Sequence, residues 1–551
     1  MKPSDEQLAA AASESKNLLV VAPPGCGKTE LLALRALGQS RRLKKHQRIL
    51  ALTFSNKARA NLNERLVRTF GGHGYRKYVT VRNFHGLAAE IVRAHFRTIK
   101  LRPEFKMPER RTLDRAILEF SEDADACAAA KEELAALKRL PLSDEEIESR
   151  LLTSGSELAL QVERDRIAKN QLHYDDLLRH AQRLLKVAEV ANLYRQHYGA
   201  ALIDEFQDLS LQQLDIAVRA CRENRTFVGD PLQGIYSWAG AQPEEVESYL
   251  RKNCNETLAL TISFRSSPAV LDVVNRIATS MGGSSLRSSE SITWPDGGAS
   301  AALDFTQASE EAEWVAEISR SILSKRPLAS IGVIVRSGYR RKIIDAAFSR
   351  MPYTPCSNWD LAIEGEGVIE ILQRSVNFLP AGATLDEIER RVRTDLEQSD
   401  VDTNVDVLEA LEVLRDAAIP DDEIATEIAN LRPRPDDLTV GPGIHLLNAH
   451  KGKGQQFDWV IVPGLENGHM PDFRSSTADE LLEEKRALLV ILSRARHGVV
   501  VTRADWHTSK KGNPYRRYPS PWWDEILGAV TMNKRELEEH IQNLEPSTTQ
   551  S

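Results

Sequence analysis

A glycine-rich segment at residues 22–29 has the residue types and spacing of a phosphate-binding loop. Its sequence, Ala-Pro-Pro-Gly-Cys-Gly-Lys-Thr, departs from the G-x-x-x-x-G-K-[ST] pattern only in the alanine at its first position. Gly25 and Gly27 let backbone N–H groups curl around a phosphate, Lys28 neutralises phosphate charge, and the Thr29 hydroxyl can ligate Mg²⁺. The segment therefore predicts a nucleotide-phosphate site.

Two adjacent carboxylates, Asp204 and Glu205, follow an apolar run at residues 200–203. Asp204 can hold Mg²⁺ through water, while Glu205 can orient and deprotonate an attacking water. Acidic pairs are common on protein surfaces, so this pair alone favours no chemistry. Together with the phosphate loop, it indicates phosphoryl transfer.

The elements that must position these groups follow a repeated order of strand, loop and helix. An apolar run at 17–22 precedes the phosphate loop, and a helical pattern at 28–37 follows it. Strands spaced by helices predict an α/β fold with a parallel, doubly wound sheet. Further strand patterns of the first sheet lie at 49–54, 200–204 and 225–229, and those of a second sheet lie at 330–335, 444–447 and 458–462.

Two stretches lack strand patterns. Residues 102–196 are helix-like and rich in charge, and we interpret them as an insertion in the first α/β domain. The acidic, helical segment 379–438 has the same character within the second domain. We expect the polar tail 542–551 to be disordered.

Composition limits the classes of partner and compartment. With a net charge of −7 over 551 residues, the chain has no global positive field, so any nucleic-acid contact must come from a local groove. The five cysteines lie far apart without CxxC pairs, which predicts reduced thiols in a cytoplasmic protein. We expect no signal peptide and no membrane helix, and the sequence shows no nuclease motif, no metal cluster and no catalytic Cys/His arrangement.

Beyond these motifs, the order and spacing of segments from Ser4 to about Thr502 resemble superfamily 1 helicases of the UvrD/Rep/PcrA type. The resemblance implies two RecA-like parallel-sheet motor domains, each with a largely helical insertion. The implied limits are 1–101 with 197–260 for the first domain, 102–196 for its insertion, 261–378 with 439–541 for the second domain, and 379–438 for a reduced second insertion.

The resemblance also assigns roles at the nucleotide. Gln233 would sense the γ-phosphate, and Arg265 and Arg494 would act as arginine fingers, which in other phosphoryl-transfer enzymes contribute about 10³–10⁵ in rate. Gln7 would recognise adenine, Phe264 would stack on it, and Gln456 would contact the ribose. Gln456 stands where the family usually has Glu, and Phe264 where it has Tyr.

Several segments resemble those that line the DNA path in the family. The most specific is 228–241, in which Trp238 would offer a base-stacking face worth about 1–3 kcal/mol. The residues that the resemblance assigns to nucleic acid are Phe54, Asn56, Phe84, His85, Tyr236, Trp238, Arg336 and His450.

The implied activity is Mg²⁺-dependent ATP hydrolysis coupled to movement along single-stranded DNA, or DNA with a single-stranded end, in the 3′ to 5′ direction. An alternative is a DNA- and nucleotide-sensing subunit that resembles the motor-like subunit of Gabija anti-phage systems and regulates an OLD-family nuclease partner. A third reading, an ATPase that acts on something other than nucleic acid, is disfavoured by the DNA-lining segments.

Overall fold

The computed structural model describes residues 2–54, 56–107, 112–121, 123–235, 241–290, 294, 296–336, 338–350, 356–358, 366–380, 382–396, 407, 410–411, 414, 421–431, 440–448, 455–509 and 512–545. The chain divides into two compact units, Met1–Ile262 and Ser263–Ser551.

The first unit alternates strands and helices around a long helical stretch. Its helices are α1 (Asp5–Ala12), α2 (Lys28–Ser40), α3 (Asn56–Phe70), α4 (Phe84–His95), α5 (Thr112–Leu118), α6 (Ala124–Lys138), α7 (Asp144–Ser154), α8 (Glu157–Ala168), α9 (Tyr174–Lys186), α10 (Ala188–His197), α11 (Leu211–Ala220) and α12 (Pro243–Asn253). Its strands are β1 (Asn17–Val21), β2 (Arg48–Thr53), β3 (Val79–Asn83), β4 (Tyr198–Asp204), β5 (Arg225–Gly229) and β6 (Glu256–Ala259).

These six strands form one parallel sheet in the order β3-β2-β4-β5-β1-β6. The central strands are continuous apolar runs because helices cover both faces of such a sheet. Leu19, Leu50 and Ile203 belong to the main core and are fully buried. The phosphate loop follows the carboxyl end of β1, and the Asp204–Glu205 pair lies at the carboxyl end of β4. Because the strands are parallel, both groups lie at the same end of the strands.

The helical stretch of the first unit contains two packing layers. Helices α5 to α8 enclose a hydrophobic cluster of their own, with Leu134 and Leu151 at its centre. Helix α9 packs instead in the main core, where Leu177 and Leu184 join the side chains of α4 and α11.

A buried ionic group joins α6, α8 and α9. Lys138 Nζ lies 3.0 Å from Glu163 Oε2 and 3.0 Å from Asp176 Oδ2, and all three side chains are fully buried. Arg166 and Arg179 also pair with these carboxylates. The charges are compensated, which is the condition under which burial is tolerated.

The second unit contains the other sheet. Its helices are α13 (Pro268–Ser280), α14 (Ala308–Lys325), α15 (Gly338–Ser349), α16 (Glu366–Asn377), α17 (Leu385–Leu396), α18 (Asp421–Asn430), α19 (Ala478–Leu492), α20 (Trp523–Leu527) and α21 (Lys534–Gln542). Its strands are β7 (Ile262–Ser263), β8 (Arg287–Ser288), β9 (Ala299–Gln307), β10 (Ser330–Val335), β11 (Cys356–Asn358), β12 (Gly443–Asn448), β13 (Phe457–Val462), β14 (Ala495–Thr508) and β15 (Pro514–Arg516).

The main sheet of this unit has the order β11-β12-β10-β13-β14-β15, and β9 also pairs with β14. All of these pairs are parallel except β14 with β15. Helices α16, α17 and α18 enclose a separate cluster that includes Leu372 and Ile388. Helix α21 ends at Gln542, and residues 546–551 of the predicted tail lie outside the described residues.

The predicted α/β class with two largely parallel sheets is confirmed. Each predicted strand is present, with limits that agree within two residues. The strands of the two sheets that were not predicted are β3, β6, β9, β11, β14 and β15. Among the described helices, none has the length and apolar character needed to cross a membrane.

Candidate active site

The phosphate loop of the first unit joins the end of β1 to the first residue of α2. Gly25 and Gly27 have φ angles of +83° and +74°, a left-handed conformation that glycine adopts without strain. A Cβ atom on Gly27 would clash with Gln7 Nε2, so a side chain at this position would displace the Gln7 amide from the loop. The backbone N–H groups at the start of α2 carry the positive end of the helix dipole.

Gln7 contacts the phosphate loop through its side-chain amide. Its Nε2 donates to the carbonyls of Cys26 (2.9 Å) and Gly27 (3.2 Å), and its Oε1 accepts from Ser4 N. Ser4 Oγ accepts from Gln7 N in return, which makes a capping box at the start of α1. The predicted adenine-recognising residue therefore lies directly against the phosphate loop.

Lys28 lies in a cluster of carboxylates. Its Nζ is 3.2 Å from Glu205 Oε2, and it donates to the Ala22 carbonyl at 3.5 Å. Burial alone would lower the pKa of Lys28, but Glu205, Asp230 and Asp204 outweigh it, so the pKa lies above its ordinary value. The lysine is therefore charged at neutral pH and able to attract phosphate.

Asp204 is the last residue of β4, and Glu205 begins the turn that follows. Burial, followed by the neighbouring Glu205 carboxylate, raises the pKa of Asp204 to about 7. Glu205 has φ of +52° and ψ of +53°, an uncommon conformation for a residue with a side chain, and such residues cluster at functional sites. A buried carboxylate with a raised pKa fits a cation ligand, and Thr29 is half-buried at the start of α2.

Two residues without a predicted role complete this cluster. Gln207 Nε2 donates to Glu205 Oε2 at 2.7 Å, and Gln207 Oε1 accepts from Asp230 N at 3.0 Å. Asp230 Oδ2 in turn accepts from Gln233 Nε2 at 2.9 Å. A hydrogen-bonded chain thus connects the predicted base to Gln233, the predicted γ-phosphate sensor.

The predicted DNA-contacting residues of the first unit have different surroundings. Phe54 follows β2 and is 38% exposed, whereas Phe84 is 1% exposed in the main core. His85, in the first turn of α4, stacks on Tyr174 with ring centroids 4.0 Å apart. Asn56 begins α3, but its side chain lies outside the described residues, as do Tyr236 and Trp238.

In the second unit the two predicted arginine fingers are connected through the backbone of Ser493. Arg265 Nη1 donates to the carbonyl of Ser493 at 3.0 Å, and the next residue, Arg494, is 2% exposed. Phe264, beside Arg265, is half-buried, and Gln456 is exposed just before β13.

Arg336 makes a two-pronged ion pair with Glu484. Its Nε lies 3.1 Å from each carboxylate oxygen of that residue. The guanidinium is therefore already engaged within its own unit. His450 lies outside the described residues.

A basic cavity of about 620 Å³ also lies in the first unit. Arg48 and Tyr198, the first residues of β2 and β4, line this cavity. It therefore lies at the amino ends of the strands, whereas the phosphate loop lies at their carboxyl ends. Arg59, Arg76 and Arg82 line it as well. It offers local positive charge, but none of the predicted DNA-contacting residues lines it.

Known protein families match both parts of the chain. The model for the UvrD/REP helicase N-terminal domain matches residues 3–253, and that for the UvrD-like helicase C-terminal domain matches residues 400–505. Together they cover more than half of the chain.

Individual relatives are more distant in sequence. DNA helicase II of Rickettsia typhi is 23% identical over 612 aligned positions, which cover 91% of this chain and 92% of the relative. UvrD2 of Mycobacterium bovis, an ATP-dependent DNA helicase, is 28% identical over 63% of this chain and 53% of its own length. DNA helicase II of Haemophilus influenzae is 27% identical over 64% of this chain and 50% of its own length. With both domain families matched in order, and with the phosphate loop and acidic pair in place, the chain belongs to the UvrD-like helicases of superfamily 1.

Proposed function

We propose that this chain hydrolyses ATP with Mg²⁺ and uses the energy to translocate along, or unwind, DNA. The observation that carries the proposal is the cluster of Lys28, Asp204 and Glu205 beside the glycine-rich loop. Helicase activity is also what the names of the aligned relatives state for those proteins.

Thr29 and Asp204 would hold the Mg²⁺ that accompanies the nucleotide, and this ion supplies positive charge to the phosphates. Lys28 binds the phosphates as well. In the present arrangement Glu205 neutralises Lys28, so a bound phosphate group replaces Glu205 as the partner of the lysine. Glu205 then orients and deprotonates the attacking water.

The hydrogen-bonded chain connects Gln233 to Glu205, the proposed base. Phosphate contact at Gln233 would alter its bond to Asp230, and the Asp230–Gln207 bond would pass the change to Glu205. Arg265 and Arg494 stabilise the transferred phosphoryl group, while Gln7, Phe264 and Gln456 bind the nucleoside.

Single-stranded DNA, or DNA with a single-stranded end, is the proposed partner, with movement from 3′ to 5′. Phe54 and His85 offer rings to it, because Phe54 is exposed and His85 is oriented by Tyr174. Phe84 was also predicted to contact DNA, but it is buried in the main core, so its proposed part is to position the neighbouring His85. Asn56, Tyr236, Trp238, Arg336 and His450 remain proposed DNA contacts.

The domain limits inferred from the sequence are likewise proposals. We propose that residues 102–196 are an insertion, because α5–α8 enclose a hydrophobic cluster separate from the sheet core. We propose the same for residues 379–438, because α17 and α18 pack in a separate cluster, which they share with α16 just before the proposed limit. Helix α9 packs in the main core, so it buttresses the first sheet.

The deciding experiment is ATP hydrolysis with and without single-stranded DNA. Turnover in the wild type should rise with DNA, and Lys28→Ala should abolish it. Lys16→Ala is the matched control, since Lys16 pairs with Glu223 on the surface of the same unit. Strand displacement on duplexes with a 3′ or a 5′ tail then gives the direction.

Turnover that is indifferent to DNA would overturn the motor proposal. It would favour the alternative, a sensing subunit that regulates an OLD-family nuclease, which stays a prediction.

A further inference from the structure

Three potential metal ligands from distant parts of the sequence converge in the second unit. They are Asp296, in the turn before β9, His497 on β14, and His540 in the last turn of α21. Asp296 Oδ2 lies 3.1 Å from His497 Nε2 and 3.8 Å from His540 Nε2. One ligand atom from each residue lies within 4.8 Å of the other two.

The Asp296 carboxylate is oriented by its own turn. Gly297 and Gly298 have φ angles of +69° and +79°, and Gly298 N donates to Asp296 Oδ1 at 3.2 Å. A Cβ atom on Gly298 would lie 2.1 Å from Ser267 Oγ, so the turn is packed tightly at this point. With Oδ1 occupied by the backbone, Oδ2 faces the two imidazoles.

Aromatic packing fixes the two rings. Trp459 is fully buried, with its ring 5.4 Å from that of His497 and 6.3 Å from that of His540. A Cβ atom on Gly498 would lie 2.3 Å from the Trp459 ring, so only glycine next to His497 allows this packing. The imidazoles lie 6.1 Å apart with an interplanar angle of 29°.

The ring nitrogens that face Asp296 make no hydrogen bond with the described residues, and both Nε2 atoms are buried. Their ion-pair partner is the Asp296 carboxylate itself, at 3.1 Å and 3.8 Å. The side chain of His497 is 9% exposed, that of His540 14%, and that of Asp296 30%. The cluster is therefore closed on the imidazole side and open to solvent at the carboxylate.

We propose that Asp296, His497 and His540 bind a divalent transition-metal ion of the zinc class, with water in the fourth position. Imidazole nitrogen and carboxylate oxygen are ligands that zinc prefers. With metal–ligand bonds of about 2.0–2.1 Å, tetrahedral geometry places ligand atoms about 3.3 Å apart, close to the two separations observed. The Gly298 N–H and the Trp459 ring supply the outer contacts that orient metal ligands.

A second cluster in the same unit provides a natural comparison. Glu466, His469 and His507 also lie within reach of one another. There, however, Arg340 Nη2 lies 3.4 Å from Glu466 Oε1, and His507 Nε2 already faces the Ala504 carbonyl at 3.1 Å. A guanidinium at the carboxylate occupies the place of a cation, so we assign no metal to this cluster.

The proposed ion would add a bond among three segments, of which β14 and β9 already pair from Gly498 with Ala299 onward. It would fasten the last turn of α21 to β14 and to the turn before β9. Because an ion bound only by the folded unit stabilises it by mass action, zinc should raise the unfolding temperature.

The test uses the full chain without an affinity tag, treated with a chelator and then titrated with ZnCl₂ by calorimetry. We expect one zinc ion for the wild type, and affinity weaker by a factor on the order of 100 for His540→Ala and Asp296→Asn. Asp296 lies on an exposed turn, so its variant tests the site even if His540→Ala destabilises α21. His469→Ala, in the comparison cluster, should still bind one ion.

Unfolding temperature provides a second readout, and zinc should raise it for the wild type and His469→Ala only. The proposal is overturned if the wild type binds no zinc, if Asp296→Asn binds zinc as tightly as the wild type, or if His469→Ala abolishes binding.

Discussion

Lys28 Nζ and Gln207 Nε2 both contact the same oxygen of Glu205, at 3.2 Å and 2.7 Å. Two donors on Oε2 hold the glutamate beside the phosphate loop. A phosphate group that binds the lysine would free one side of this oxygen for the attacking water.

The first prediction concerns this base. Glu205→Gln should lower the rate of ATP hydrolysis by about 10²–10⁴-fold, the usual contribution of a general base, while nucleotide affinity changes little. Single-turnover hydrolysis and titration with a fluorescent nucleotide measure the two quantities separately. Lys28→Ala is the contrasting variant, since it should weaken binding itself. If Glu205→Gln hydrolysed ATP at the wild-type rate, a residue other than Glu205 would be the base.

The second prediction is a dependence on pH that originates at Asp204. The folded protein keeps a proton there up to a pKa of about 7, whereas the unfolded chain releases it near the ordinary value of about 4. The folded state therefore binds more protons between these values, and its free energy of unfolding falls as pH rises from about 4 to about 7.

Asp204→Asn removes this contribution. Measured by urea unfolding without nucleotide or Mg²⁺, the stability of the variant relative to the wild type should increase between about pH 4 and pH 7 and then stay constant. Asp272→Asn, on the exposed side of α13, should show a constant difference. A constant difference for Asp204→Asn as well would refute the assignment.

The third prediction concerns Arg35, which joins α2 to α1 and β5. Its Nη1 donates to the carbonyls of Ala10 and Ser13 at 3.0 Å each, and its Nε donates to Thr226. Burial lowers its pKa to about 10, and the side chain is 2% exposed. Arg35→Ala should cost about 3–5 kcal/mol of unfolding free energy, because buried carbonyls lose their donor.

Since α1 carries Gln7, the same variant should also raise the KM for ATP. Arg42→Ala is the control, because Arg42 pairs with Glu14 on the surface and its loss should change stability by no more than about 0.5 kcal/mol. Equal stability losses in the two variants would contradict the role given to Arg35.

The fourth prediction concerns Gly229 at the end of β5. A Cβ atom there would lie 2.3 Å from Gln207 Oε1 and 2.9 Å from the backbone nitrogen of Phe206. Gly229→Ala should therefore displace Gln207, lower hydrolysis at least about tenfold and cost about 1–3 kcal/mol of stability. Gly74→Ala, where a Cβ meets no atom within 4 Å, is the control for both measurements. Unchanged hydrolysis in Gly229→Ala would show that Gln207 is dispensable.

The sequence allowed prediction of those features that depend on local pattern. Central strands such as β1 and β10 are continuous apolar runs, and the phosphate loop is a contiguous motif. Strand β3, at the sheet edge, alternates apolar residues with Thr80 and Arg82, so its pattern is weaker.

The remaining site features depend on distant contacts. Gln207 and Asp230 meet because β4 and β5 are neighbours in the sheet, and no local spacing reveals this pairing. The expectation that the chain has no metal cluster did not anticipate Asp296, His497 and His540, because these residues are far apart in the sequence and meet only through the fold.

The hydrogen bond from Arg265 to the Ser493 carbonyl links the positions of Arg265 and Arg494. Because Ser493 directly precedes Arg494, a shift of this backbone displaces both guanidinium groups together. If the two arginines act on the nucleotide as proposed, they would respond to it together, and substitutions at the two positions should be strongly non-additive.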